Sequence, residues 1–275
     1  VKLSWKLRKI LGRYGYEIIY SWPSIRDYSL FNLGYFPVDD RIRADPAFSH
    51  QANQVQLYAA LLKAAGVASA RLSGARVLEI GAGRGGGMLY LSRVASPASL
   101  VGIDSSRAAV RYGRRRGLDL RRAVAERLPF GDLSFDYVLC LDSINVCTDP
   151  ARVFGEISRV LAPGGMVMAG DFIRSSTRRA RLRLERWATP AGLSIVRFDD
   201  VSAAVRLSAQ RDHDRKAQIL ASAPRWLHPL IVESLTLKGT RRYQEWMKGV
   251  YTYYLSALVK QQPGPAGIGG PRDDR

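Results

Sequence analysis

Apolar positions along the chain follow two rhythms. Short apolar runs near 76–80, 99–103, 119–123, 136–141, 166–172, 194–199 and 251–259 are bounded by turn-forming residues and predict β-strands. Over 51–66, 86–95, 106–117, 150–161, 177–188, 203–221 and 241–248, apolar residues recur three and four apart and predict helices. Alternation of the two gives an α/β fold with a mostly parallel sheet of seven strands and helices on both faces. Residues 1–50 read as N-terminal lid helices and 51–260 as the main domain, with an extra helical region over 201–240 that walls a substrate pocket. The glycine- and proline-rich tail, 261–275, has no apolar face to bury and is expected to be disordered.

One junction between the rhythms stands out. The apolar run Val77-Leu78-Glu79-Ile80 ends in Gly81-Ala82-Gly83-Arg84-Gly85, and a helical pattern begins at once. Glycines there permit a tight strand-to-helix turn and close approach of a ligand to the main chain. Alone, such a turn is shared by dinucleotide binders and by turns that hold nothing. The next run, Leu100-Val101-Gly102-Ile103, ends in Asp104, where a carboxylate about twenty residues past the loop can accept bonds from ribose hydroxyls. Loop and acid together point to a nucleoside.

Two later segments narrow the nucleoside. Leu128-Pro129-Phe130 leads through Phe135-Asp136 into the fourth apolar run, and Leu161-Ala162-Pro163-Gly164-Gly165 precedes the fifth. In this order after the glycine loop they resemble the class I S-adenosylmethionine-dependent methyltransferases of the small-molecule branch. The flanks resemble actinobacterial lipid and natural-product enzymes of the phthiotriolone and glycopeptidolipid type. The resemblance implies a Rossmann-like sheet closed by an antiparallel last strand, and S-adenosyl-L-methionine as cofactor. It places Gly81, Ala82, Gly83 and Gly85 under the methionine and ribose, with Glu79 at the loop and amino group and Asp104 on the ribose. Ser105, Ala125 and Glu126 would border the adenine, Leu141 the sulfonium, and Tyr35 and Gln54 the methionine end. Val124 stands where relatives carry an Asp for the adenine amino group, so adenine must be held by main chain and apolar contact, or by Glu126.

The balance of 42 Lys and Arg against 24 Asp and Glu gives a net charge of +18, which attracts anions of every kind. Arginine-rich helix faces account for much of it as ordinary solvated surface. A nucleic-acid substrate is disfavoured: the loop after the fourth strand, Asp142-Ser143-Ile144-Asn145-Val146-Cys147, lacks the prolines and aromatic residue that a base N-methyltransferase uses to stack its target. Two cysteines, Cys140 and Cys147, make no disulfide framework, and no apolar run is long enough to span a bilayer. Both features fit a cytoplasmic enzyme, and homo-oligomer formation is compatible with either. The stretch Lys2 to Tyr14 reads as a basic amphipathic helix, suited to covering the enzyme's own domain or to touching a lipid surface.

Aromatic residues crowd the chain between Tyr14 and Phe36, enough to roof a pocket and exclude water. Methyl transfer from a sulfonium asks chiefly for alignment, and a base matters only when the acceptor is a poor nucleophile such as an alcohol. By the resemblance, a His in the loop after the fourth strand serves as base in related O-methyltransferases; here the position is Asn145, and an amide cannot take the proton. Asp142, His50 or a water would replace it beside the substrate, and no metal ligands are assigned. Three functions follow: O-methylation of a small hydrophobic metabolite or lipid; C-methylation of a prenyl or terpenoid alkene, where aromatic faces steady a carbocation; or cofactor binding without methyl transfer in a biosynthetic pathway.

Overall fold

The computed structural model describes residues 17–22, 25, 27–225, 228, 232 and 235–261. The amphipathic stretch 2–14 and the tail after residue 261 lie outside the described residues. Seven strands form one sheet: β1 (Arg76–Ile80), β2 (Ser99–Asp104), β3 (Asp119–Arg122), β4 (Phe135–Leu141), β5 (Leu161–Ile173), β6 (Leu193–Asp200) and β7 (Thr252–Lys260). Their order is β3-β2-β1-β4-β5-β7-β6. Pairing is parallel from β3 to β5, and β7 lies antiparallel between β5 and β6. This is the Rossmann-like arrangement expected.

The two-residue period of the strands sorts side chains onto two faces. Leu78, Ile80, Val138, Cys140, Val167, Ala169, Tyr254 and Leu258 pack on one side with the helices α4 (Pro150–Val160) and α5 (Thr177–Ala188). Their neighbours in sequence, Val77, Leu139, Leu141, Met168, Tyr253, Leu255 and Ala257, pack on the other with α1 (Ala52–Ala65) and α2 (Gly86–Val94). Near-continuous apolar strands are what a sheet buried on both faces requires. Helix α3 (Arg107–Arg114) is capped by Ser106, whose hydroxyl accepts the Ala109 amide at 3.1 Å, and Asp149 caps α4 ahead of Pro150.

The region 203–221, which reads as one helix, is two: α6 (Ser202–Arg211) and α7 (His213–Ala221). They part at Asp212, whose carboxylate is engaged by Arg215 of the following turn and by Gln54 of α1 at 2.9 Å. Helix α8 (Arg241–Met247) leads into β7. No helix among the described residues is long and apolar enough to cross a membrane.

The Leu128-Pro129-Phe130 segment owes its shape to α4. Glu156 accepts the Leu128 amide at 2.7 Å, while Arg159 donates to the carbonyls of Phe130 at 2.8 Å and Leu128 at 3.1 Å and pairs with Asp132 and Glu156. Ala125 and Leu128 are thereby pressed into the core beside the strand ends that form the cleft described below. Replacing Arg159 by Met leaves those carbonyls without their charged donor. R159M is expected to lower stability by about 1.5 to 3 kcal/mol, read as a shift of the urea midpoint at unchanged slope.

Candidate active site

At the carboxyl ends of β1, β2 and β4 the sheet opens into a cleft of about 950 Å³, its open mouth included. In an open α/β sheet this edge is where ligands bind. Gly81, Ala82 and Gly83 form its floor. The three turn glycines take φ of +71°, +55° and +82° at 81, 83 and 85, a region that favours residues without a Cβ. The amides of Gly81 and Ala82 donate to the Ile103 carbonyl at 2.9 and 3.0 Å, fixing the turn against the end of β2. Gly85 starts α2 just behind the floor and does not line the cleft.

Asp104 closes β2 and binds both sides of the turn: Oδ2 accepts the Gly83 amide and Oδ1 the Ser106 amide, each at 2.8 Å. Burial raises its pKa, and those amide bonds work in the opposite sense. The Ser105 amide bonds the same carboxylate, which retains acceptor capacity for a ligand hydroxyl. Ser105, Ser106, Ala123, Val124 and Ala125 continue the wall, and Val124 is 40% exposed, an apolar face where a purine would lie. Glu126 is absent from this lining. Its Oε1 accepts the Thr148 amide at 2.8 Å and hydroxyl at 2.9 Å, so it holds the loop after β4 in place.

Glu79 lies under the floor, 1% exposed, and takes a 2.6 Å hydrogen bond from the Tyr58 hydroxyl. Burial pushes its pKa up to about 7, with the Tyr58 bond opposing. Its second oxygen, Oε2, is buried with no partner among protein groups, an acceptor suited to a cofactor's amino group. Tyr58 itself lines the cleft, and any side chain at Gly87 would overlap its ring and the Glu79 carboxylate.

From the aromatic segment, Tyr20, Ser29, Leu30, Phe31 and Asn32 line the cleft and are termed its roof. Tyr20 and Phe31 meet edge to face at 5.1 Å. Gln51 Oε1 anchors the roof by accepting the amides of Ser29 at 3.0 Å and Leu30 at 2.7 Å. Tyr35 and Gln54 are not in the lining. The Tyr35 amide bonds Asn53 and its ring packs beside α1, while Gln54 is fully buried against Asp212.

Leu141 and Asp142 bound the remaining end of the cleft. Asp142 adopts φ +51°, which turns its carboxylate between Tyr253, whose hydroxyl donates to Oδ1 at 2.9 Å, and the Leu33 amide, which donates to Oδ2 at 3.2 Å. Asp171, 1% exposed, lies near enough that the Asp142 charge adds to burial in raising its pKa. Burial raises that of Asp142, against the Tyr253 bond and the charges of Arg242 and Lys216. Asn145 turns away from the cleft: its amide donates to Asp171 at 2.8 Å and its side chain donates to the other oxygen. His50 is exposed beside Tyr28, its Nε2 3.0 Å from the Asp27 carbonyl, and does not reach the cleft. Tyr58, Gln51 and Arg84 escaped the sequence reading, since each acts through a contact distant in the chain.

These residues could accommodate S-adenosylmethionine: a floor without side chains, a carboxylate at the end of β2, a partnerless acceptor on Glu79 below the floor and outside the lining, and an apolar wall at Val124. Residues 78–169 match the family described as "Methyltransferase domain". A phthiotriol/phenolphthiotriol dimycocerosates methyltransferase of Mycobacterium ulcerans is 42% identical over 123 residues, 43% of this chain and 45% of that protein; the match spans just under half of the relative's length. A fatty-acid O-methyltransferase of Mycolicibacterium smegmatis is 25% identical over 273 residues, 94% of both. Among solved structures, the [4+2]-cyclase SpnF aligns over 93% of this chain and 97% of its own with a TM-score of 0.71 at 19% identity. The geranyl diphosphate C-methyltransferase of Streptomyces coelicolor A3(2) aligns over 90% and 97% with 0.62 at 16%. Over residues 78–169 the chain thus matches the methyltransferase domain family, within a fold that it shares with these solved structures.

Proposed function

We propose that the protein transfers a methyl group from S-adenosylmethionine to a hydroxyl of a lipid or lipid-like metabolite, with Asp142 as the base. The observation that carries this reading is the placing of Asp142 at the end of the cleft opposite Asp104, as a carboxylate of raised pKa held by Tyr253. Gly81, Ala82 and Gly83 would floor the cofactor, Asp104 would take the ribose, Ser105 and Ala125 the adenine, and Glu79 the amino group. Gly85, Glu126, Tyr35 and Gln54 would support that site from behind. The lipid class comes from the relatives named above, one a fatty-acid enzyme similar over nearly the whole chain.

When bound, the cofactor supplies an electrophilic methyl group and leaves as a thioether. The chain's own part is alignment, exclusion of water and one proton. Leu141 would lie beside the sulfonium, and Tyr20, Phe31 and Leu30 would keep water from it. As the acceptor oxygen bonds to the methyl carbon, its proton passes to a free lone pair of Asp142. Tyr253 donates to that carboxylate and keeps it turned toward the cleft. Asp142 would repel a carboxylate acceptor in the same place, which favours a hydroxyl.

Carbon methylation is the second reading, favoured by the aromatic lining of Tyr20, Phe31 and Tyr58. There the methylated alkene would be a carbocation, and Asp142 would remove a proton from carbon. Incubation of a long-chain hydroxy-fatty acid ester and of a prenyl alcohol with methyl-labelled cofactor separates the readings. Methyl ether on the hydroxyl is expected; label found only on carbon, or none on any acceptor, overturns the proposal.

Two variants test the site. D104A should weaken S-adenosylhomocysteine binding by about tenfold to a hundredfold in calorimetry, the value of a charged acceptor, and unchanged affinity would refute the ribose assignment. In wild type, a base must be deprotonated, so kcat/KM should rise with pH through an acid limb near the Asp142 value of about 6. D142N, whose amide tolerates the same positive φ, should lose that limb and about 10²-fold to 10⁴-fold in kcat while binding the cofactor normally.

A further inference from the structure

The roof of the cleft hangs on a side chain that starts in its floor. Arg84 stands between Gly83 and Gly85, yet it is 2% exposed and runs out of the turn into the segment that covers it. Its guanidinium donates to the carbonyls of Tyr20, Ile25 and Tyr28, the last at 3.0 Å. It also faces the rings of Tyr112 at 4.5 Å and Phe31 at 5.8 Å. The acceptors are all neutral main-chain oxygens of one strap, described over residues 17–22, 25 and 27–36. Other ties hold it as well: Glu17 accepts the Ala108 amide of α3 at 3.1 Å, Trp22 Nε1 donates to the Ser222 carbonyl at 2.7 Å, Gln51 accepts Ser29 and Leu30, and the amides of Leu33 and Tyr35 donate to Asp142 and to the Asn53 carbonyl.

Tyr20, Ser29, Leu30, Phe31 and Asn32 of this strap line the cleft, and a side chain on Gly83 would come within 3.1 Å of the Tyr20 hydroxyl. A nucleoside cofactor on the floor would therefore lie beneath the strap. A buried arginine is a costly way to pack a core, since an apolar residue of equal volume would hold as well without losing hydration. It is a suitable way to hold something that must be released. When the strap lifts, a guanidinium regains water, whereas an apolar clasp would be left exposed.

We propose that Arg84 is a positioning residue that latches the strap, through Tyr20, Ile25 and Tyr28, over the cofactor and so sets how long the cofactor stays bound. The proposal rests on the reading that this cleft holds S-adenosylmethionine. It gives the arginine inside the glycine turn a function distinct from that of the glycines: they make room for the ligand, and it ties down the cover.

The test uses the full chain as wild type, R84M and R84K, with S-adenosylhomocysteine as ligand. R84M should bind about tenfold or more weaker, almost all of it in a faster dissociation rate by stopped-flow competition. R84K, which keeps the charge but not the fork, should recover part of the loss. Amide exchange over 27–34 should be faster in R84M and slowed by ligand in wild type. A role in packing alone would lower the melting temperature and leave dissociation and the exchange of 27–34 unchanged. Dissociation from R84M within about twofold of wild type overturns the latch and leaves the cofactor site standing. Failure of the wild type to bind S-adenosylhomocysteine would sink both.

Discussion

Asp104 is the constraint on which the site depends. One carboxylate at the end of β2 accepts an amide from the glycine turn after β1 and another from the start of α3. Two strand-to-helix junctions are thereby fixed relative to each other without any side chain intruding on the floor between them. The turn can be made of residues with positive φ because its amides have been given acceptors, Ile103 on one side and Asp104 on the other. Without those bonds, glycines that permit this geometry would permit many others as well.

The polar interior extends the same economy. Glu79, Asp142 and Asp171 are carboxylates with pKa values raised by burial, and each is oriented by a hydroxyl or amide donor: Tyr58, Tyr253 and Asn145 respectively. Tyr58 comes from α1 and Tyr253 from β7, so a helix and a strand distant in the chain each contribute one hydroxyl to these acids. Those donors settle which way each acid faces.

Most of the fold was legible because buried strands must be apolar on both faces, and such runs stand out whatever surrounds them. Errors fell where a single side chain decides. The stretch that reads as one helix parts at Asp212, whose carboxylate is taken by Arg215 three residues on and by Gln54, 158 residues away, a contact that nothing local announces. The site divides in the same way. Gly81, Ala82, Gly83, Asp104, Ser105, Ala125, Leu141 and Asp142 sit at strand ends, where position in the pattern fixes position in space, and they line the cleft. Glu126 sits one residue past Ala125 yet bonds Thr148; Tyr35 and Gln54 lie on the segments leading to and along α1, where orientation depends on packing. Arg84 was hidden by its surroundings, a charged residue in a turn that reads as all backbone. Only the depth of its burial gives it away.

The antiparallel strand β7 carries a consequence for how the protein comes into being. It threads between β5 and β6 and delivers Tyr253 to Asp142, residues 111 positions apart. On the ribosome, the nucleoside half of the cleft can assemble once β1, β2 and their helices have emerged, while the acceptor half has no Tyr253 until β7 is made. Under the proposed function, a nascent chain would therefore pass through a stage able to hold the methyl donor but with no completed place to deliver the methyl group.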